Sequence, residues 1–256
     1  MIDALKQRLH AKSAALLLSM ESSLDRIMMC WLAFAALASA VRIATSPIHA
    51  LPDFATFAPY LLLIFAPAVS LVLALRWFRN GDRMPQPATR LARVGKWRAV
   101  SQAEARRHSL YGTSGIMVSL LVGILLNIPM RAAEYLAGMP ALSGPVPGWL
   151  STLHMLMTAD VVLLSSLYAV AFVAALRRVA LFPRLLVAIW AIDLAMQMLT
   201  AQLVAGAPGL PPTVAAALHT MIDGNVKKVL ISAALWLPYL LLSARVNVTY
   251  RNRVAA

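Results

Sequence analysis

Charge is scarce in this chain, and acid is scarcer still. Only 13% of the 256 residues are charged, 10 Asp+Glu against 23 Lys+Arg, while 61% are hydrophobic. A soluble domain is about one quarter charged, so this chain lacks the means to cover a water-facing surface. Its single cysteine, Cys30, lies in an apolar run, which excludes a disulfide framework, a CxxC pair and a thiolate metal cluster. His10, His49, His108, His154 and His219 stand singly and never take the HExxH spacing, so no zinc site is expected. There is no GxSxG, no Walker loop and no dinucleotide fingerprint; no cofactor is expected, and nothing favours a catalytic set. Strand-like alternation over barrel-length stretches is missing too, which excludes a membrane β-barrel.

What the chain has in abundance is apolar length. A hydrocarbon core of about 30 Å takes about 20 helical residues, and six segments qualify: 27–45, 55–77, 114–135, 153–176, 184–205 and 225–244. The fold class expected is all-α, a polytopic integral membrane protein with six transmembrane helices. The turns "SPIHALPD", "MPALSGPVPG" and "GAPGLPPT" carry the connecting prolines and glycines, and "PPTVAAALHTM" reads as a separate short helix opened by proline. Arg42, near the end of the first span, is expected to snorkel outward.

The net charge of +13 would suggest nucleic acid in a soluble protein. Here the basic residues sit in the gaps between apolar segments, so no nucleic-acid partner is expected and the charge reads as topology. Threading six spans puts 19 Lys and Arg on the side of both termini and four (Arg42, Arg131, Lys227, Lys228) on the other. Basic residues collect on the cytoplasmic side, so both termini are expected there. Residues 1–26, with Ile2, Leu5, Leu9, Leu16, Leu17 and Met20 roughly on one face, fit an interfacial amphipathic helix or an extension of the first span. The apolar core "AALLLSM" is too short for a cleavable signal and charges follow it at once.

Four regions follow: the N-terminal segment 1–26, a transmembrane hairpin 27–78, a basic cytoplasmic loop 79–107, and a four-helix unit with a basic tail, 108–256. The loop between Arg76 and His108 holds nine basic residues against Asp82 and Glu104. Its second half reads as a basic amphipathic helix, with Leu91, Val94 and Trp97 among the cations. Arg90, Arg93, Lys96, Trp97, Arg98, Arg106 and Arg107 then meet either the anionic headgroups of the cytoplasmic face, at about 1 kcal/mol per basic residue, or a membrane-protein partner.

Ionisable groups inside a span are costly and are functional candidates by default. Asp193 is the deepest, about 13 Å from the cytoplasmic end of its span, and shares a face with Gln197 and Thr200. With no cation at its depth it is expected to be protonated or bonded to Ser165 or Ser166. Asp160, Asn127 and Gln197 form an expected second layer about 10–12 Å from the periplasmic end, where Lys228 reaches down to Asp160. Arg131 and Glu134, three apart, are expected to pair on their own helix. Together Asp160, Asp193, Gln197, Lys228 and Asn127 describe either a polar cavity for a small ligand, a headgroup or protons, or plain interhelical bonding.

The last span carries Pro238, which removes one backbone donor and kinks the helix, and a basic tail in which Tyr250 suits a headgroup position. Its wording, Trp236, Pro238, Tyr239, Ser243, Arg245, Val246, Thr249 and Tyr250, resembles the C-terminal signature of a bacterial membrane-protein family known as domain of unknown function 2569. A weaker patch is Phe182-Pro183 after basic residues. The resemblance covers about 108–253. It departs where Ala244 replaces a lysine, and where "SLYGTSGIMVSL" replaces a glycine-rich start. It implies a multi-pass protein of the bacterial inner membrane and no particular activity. The function expected first is a non-catalytic accessory or scaffold subunit packing on a membrane partner. The alternative is a small transporter or lipid-handling protein using the Asp160–Asp193–Lys228 cavity; a membrane enzyme acting on a lipid comes last.

Overall fold

The computed structural model describes residues 2–47, 53–88 and 95–256, with side chains from Lys12 onward. In chain order the elements are α1 (Ile2–Ser22), α2 (Leu24–Thr45), α3 (Phe54–Trp77), β1 (Trp97–Ala99), α4 (Gln102–Arg107), α5 (Ile116–Gly138), α6 (Gly148–Leu176), α7 (Phe182–Ala205), α8 (Pro212–Leu242), α9 (Ala244–Arg251) and β2 (Arg253–Ala255). Six of these, α2, α3 and α5 to α8, are long and apolar enough to cross a membrane. The all-α, six-span expectation holds at that level.

The bundle is built around α6, which packs against α3, α5 and α7. Its final turns are buried almost without interruption, from Ala169 to Leu176, with Phe172 at the centre. Ala171, Ala174 and Ala175 lie in that stretch, and small residues of this kind let neighbouring backbones approach closely where lipid supplies no hydrophobic drive. Large apolar side chains face outward instead, such as Leu37 on α2 and Ile231 and Leu235 on α8. That inverted pattern is what a lipid-facing surface requires.

The sequence left open whether the N-terminal hairpin docks on the other four spans. It does: α3 buries Tyr60, Leu63, Pro67, Ala68, Leu71 and Ala74. Arg42, in the last turn of α2, is tied down at that end of the bundle. Its Nε donates to the Met139 carbonyl at 2.8 Å, and the Ala141 amide donates to Ser46 Oγ at 2.8 Å, so the end of α2 is tied to the connection after α5. A carbonyl freed at a helix end is a stronger local attractor for a half-buried guanidinium than distant water.

Three further expectations change. "PPTVAAALHTM" is no separate helix; it is the first third of α8, which runs unbroken through Gly224 and Pro238. An isolated glycine costs a helix only about 1 kcal/mol, too little to stop it. The basic loop is not helical through Trp97: Gly95, at φ +94°, interrupts any helix there, and β1 pairs antiparallel with β2, Trp97 opposite Ala255 and Ala99 opposite Arg253. Arg106 closes on Asp82 at 3.0 Å, so the later loop is folded onto the protein. Arg90, Leu91, Arg93, Val94 and His49 lie outside the described residues.

The third change concerns the tail. After Ser243, in extended backbone, the chain turns into α9 and packs back onto the bundle. Tyr250 is 1% exposed and far from any headgroup role. Its ring lies 5.2 Å from Phe182 and its hydroxyl donates to the Ala175 carbonyl at 2.9 Å; burial pushes the phenol well above its ordinary pKa, so the donor stays protonated. Thr249 Oγ1 accepts from the Gly112 amide at 3.0 Å, and Arg245 donates to Ser114 Oγ at 2.8 Å. The familiar wording of this segment thus encodes a latch between α9, the α6 end and the turn before α5. Ser13 of α1 accepts from the Gly115 amide at 3.0 Å, so both terminal segments lie at one end of the bundle.

Replacing Tyr250 with Phe is expected to leave the ring packing and remove one hydrogen bond to the Ala175 carbonyl, which keeps its bond from the Arg178 amide, lowering stability by about 0.5–1.5 kcal/mol. Thermal unfolding in detergent reads this; an unchanged midpoint would show that the hydroxyl does not hold the latch.

Candidate functional site

The core stripe of α7 changes character along its length. Leu186, Ile189 and Trp190 fill its first half; Asp193, Gln197 and Thr200 continue it at helical spacing and are equally buried. On α6, Asp160 is 7% exposed and faces the same region. The charge they need comes from α5. Arg131 Nη1 donates to Asp160 Oδ2 at 3.1 Å, and its Nη2 forms an ion pair with Asp193 Oδ2. Its Nε donates to Asn127 Oδ1 at 2.9 Å, and its guanidinium carbon stands 5.7 Å from the ring centre of Tyr168. One arginine therefore serves two carboxylates on two other helices.

The polar chain extends outward. Gln197 donates to Asp160 Oδ1 at 3.2 Å and accepts from Asn225 of α8 at 3.3 Å. Lys228 Nζ meets Glu134 at 2.5 Å across the α5–α8 gap, and both side chains are about half exposed. A cavity of about 270 Å³ opens between these helices, lined by Asn127, Arg131, Glu134, Tyr168, Asp193, Asn225 and Lys228 among others. Asp193 forms part of its buried wall.

Asp160, Asp193, Gln197 and Asn127 thus come together as the sequence suggested, but their partners differ from those expected. Asp193 does not bond to Ser165, whose hydroxyl is buried without a partner; it takes Arg131. Lys228 does not reach Asp160, and Arg131 does not pair with Glu134. The reason is depth and shape. Arg131 starts about 10 Å from the end of α5 and points inward, and α6 begins at Gly148, a turn or more earlier than expected. Asp160 and Asp193 then lie at one depth, each about 18 Å from that same end. A planar guanidinium spans two carboxylates there, while an ammonium on a flexible stem is a point charge left at the mouth. An exposed i, i+3 pair is worth only about 0.2–0.5 kcal/mol, so buried carboxylates outcompete Glu134 for the arginine.

Arg131 is the residue the sequence reading missed as the hub. The available signal was its place four residues after Asn127, on one helix face within an apolar segment. His154 is buried, with Nε2 3.4 Å from the Tyr135 hydroxyl, while His219 lines a separate α7–α8 cavity. Among the described residues no group of three His, Cys, Asp or Glu is placed to hold a metal. No family model, no curated protein and no solved structure matches the chain.

The shared arginine makes a specific non-additive prediction. Asp160→Asn or Asp193→Asn alone leaves Arg131 one carboxylate and is expected to keep most of the folded yield. The double variant strands a buried cation, at about 3–5 kcal/mol, and should collapse. Adding Arg131→Met to the double variant should restore much of the yield. Size-exclusion profiles of the four proteins decide it; additive losses would show that the two aspartates do not share one partner.

Proposed function

We propose that the α5–α8 half binds a small cationic group, or a proton, in the cavity beside Arg131, as a small transporter or ligand-handling protein of the bacterial inner membrane would. The observation that supports this most is a charge imbalance: Asp160, Asp193 and Glu134 stand against Arg131 and Lys228, one negative charge in excess, with Asp193 and Glu134 lining the cavity. Excess charge in a low-dielectric site is expensive and is relieved by taking up a positive charge. At about 270 Å³ the cavity falls just below the range of drug-sized ligand pockets, about 300–1,000 Å³, so the ligand is a small molecule or ion. The resemblance to the family of unknown function 2569 agrees with a multi-pass protein and adds no ligand.

The first-expected reading, an accessory subunit, has less behind it, because the outward faces of α2 and α8 are accounted for by lipid. In the cavity reading the purified protein is expected to gain thermal stability with small amines or alkali cations and none with matched anions. Asp193→Asn should abolish the gain while Glu134→Gln, at the mouth, reduces it only partly. Equal responses from wild type and Asp193→Asn would end the cavity reading, and a stoichiometric protein partner retained in mild detergent would favour the subunit.

The orientation proposed for this function puts both termini, and the 19 basic residues on their side, in the cytoplasm, so the cavity is entered from the periplasmic half. A phosphatase reporter fused after Ala256 is expected to be inactive and a fluorescent one bright. The reverse pattern would invert the map.

A further inference from the structure

At the end of the bundle that carries both termini, arginines gather around the α6–α7 turn and the end of α9. Helix α6 closes with Arg177 and Arg178, the latter in left-handed backbone at φ +56°, and α7 opens a few residues later with Arg184 in its first turn and no acidic residue there. Across from them α9 ends in Arg251, 4% exposed. Its Nη1 donates to Asn247 Oδ1 at 3.1 Å, but its Nη2 is buried without a hydrogen-bond partner, and so is Nη2 of Arg184. Two acids of this end are already taken: Asp82 holds Arg106 and Glu104 holds Arg98. Among the described residues no ion pair reaches Arg177, Arg178, Arg184 or Arg251.

This arrangement is electrostatically incomplete in three independent ways. A buried donor left unmade costs about 1–3 kcal/mol, more when charged. Arg184 sits at the positive end of the α7 dipole, where a cation is disfavoured and an anion favoured. The contact between the Phe182 and Tyr250 rings, 5.2 Å between centres, also brings the start of α7 to the end of α9 and with them two like charges, Arg184 and Arg251; the Arg251 guanidinium is pushed down to about 10, first by burial and then by Arg253 and Arg184. All three are relieved by one object, a tetrahedral oxyanion accepting from both forks.

We propose that Arg184 and Arg251, at the start of α7 and the end of α9, hold a phosphate group, the chemistry shared by a phospholipid headgroup and a free phosphate. Arg178 contributes charge at the edge, its guanidinium carbon lying 5.6 Å from the Tyr111 ring centre. The site is at the opposite end of the bundle from the mouth of the Arg131 cavity and is independent of it.

The test uses the whole chain, delipidated in a neutral detergent, with unfolding midpoints measured in inorganic phosphate, short-chain phosphatidylglycerol and a short-chain diacylglycerol, which carries no phosphate. A rise of several degrees with phosphatidylglycerol alone supports the site with a lipid as source; a rise with inorganic phosphate as well supports it with phosphate itself. Arg184→Gln removes one of two facing cations, so without ligand its midpoint should equal or exceed that of wild type, and its response to either probe should vanish. If that variant folds poorly, Arg251→Gln serves as the second, judged by the same lost response. No rise with either phosphate probe, a rise equal to that with the diacylglycerol, or an undiminished response in both variants would overturn the proposal.

Discussion

One guanidinium between two carboxylates organises the half of this protein that bears chemistry. Arg131 on α5 reaches Asp160 on α6 and Asp193 on α7, so three helices meet at a single charge centre. In a bilayer, apolar side chains gain nothing by leaving lipid for the bundle, and what fixes helices to one another is close packing and satisfied polar groups. The two modes are separated here along the bundle axis. Toward the end bearing the termini, α6 offers alanines and Phe172 to a dry core. Toward the other end, the buried stripe of α7 becomes Asp193, Gln197 and Thr200, and packing gives way to a hydrogen-bonded network.

That network is more than adhesive because it does not balance. A structural ion pair needs equal and opposite charges with every lone pair used. Here a carboxylate is in excess, and Asp193 and Glu134 line a cavity. The Lys228–Glu134 pair bridges α5 and α8 at the cavity mouth, exposed enough to be weak and so able to open without a large cost. The far end shows the complementary defect, cations without anions around Arg184 and Arg251. Uncompensated charge of opposite sign at the two ends is what distinguishes the two proposed ligand classes.

Much of the architecture was legible in the sequence because the bilayer imposes it. Apolar length sets the spans, and the six helices match the expected segments within a turn or two, except where α6 and α8 start earlier. The polar candidates were legible for the same reason: Asp160, Asp193, Gln197 and Asn127 are conspicuous in apolar runs, and they do meet. Their pairing was not legible. It depends on the rotation of α5 and the true start of α6, neither of which periodicity fixes, and Arg131 near a span end looked like a boundary marker. The tail was misread for a related reason. Tyr250 and Arg251 follow an apolar run and look interfacial, and only tertiary contacts with Phe182 and Ala175 make them core. Likewise the β1–β2 pairing joins residues about 155 apart, beyond any local signal.

The central claim is that Arg131 spans both aspartates beside a cavity that accepts positive charge. A density map of the protein in a lipid nanodisc tests it most directly. It should show the Arg131 side chain running inward between Asp160 and Asp193, with the cavity on the α8 side open to them. Arg131 turned outward onto Glu134, with the two aspartates sealed among apolar side chains, would contradict it.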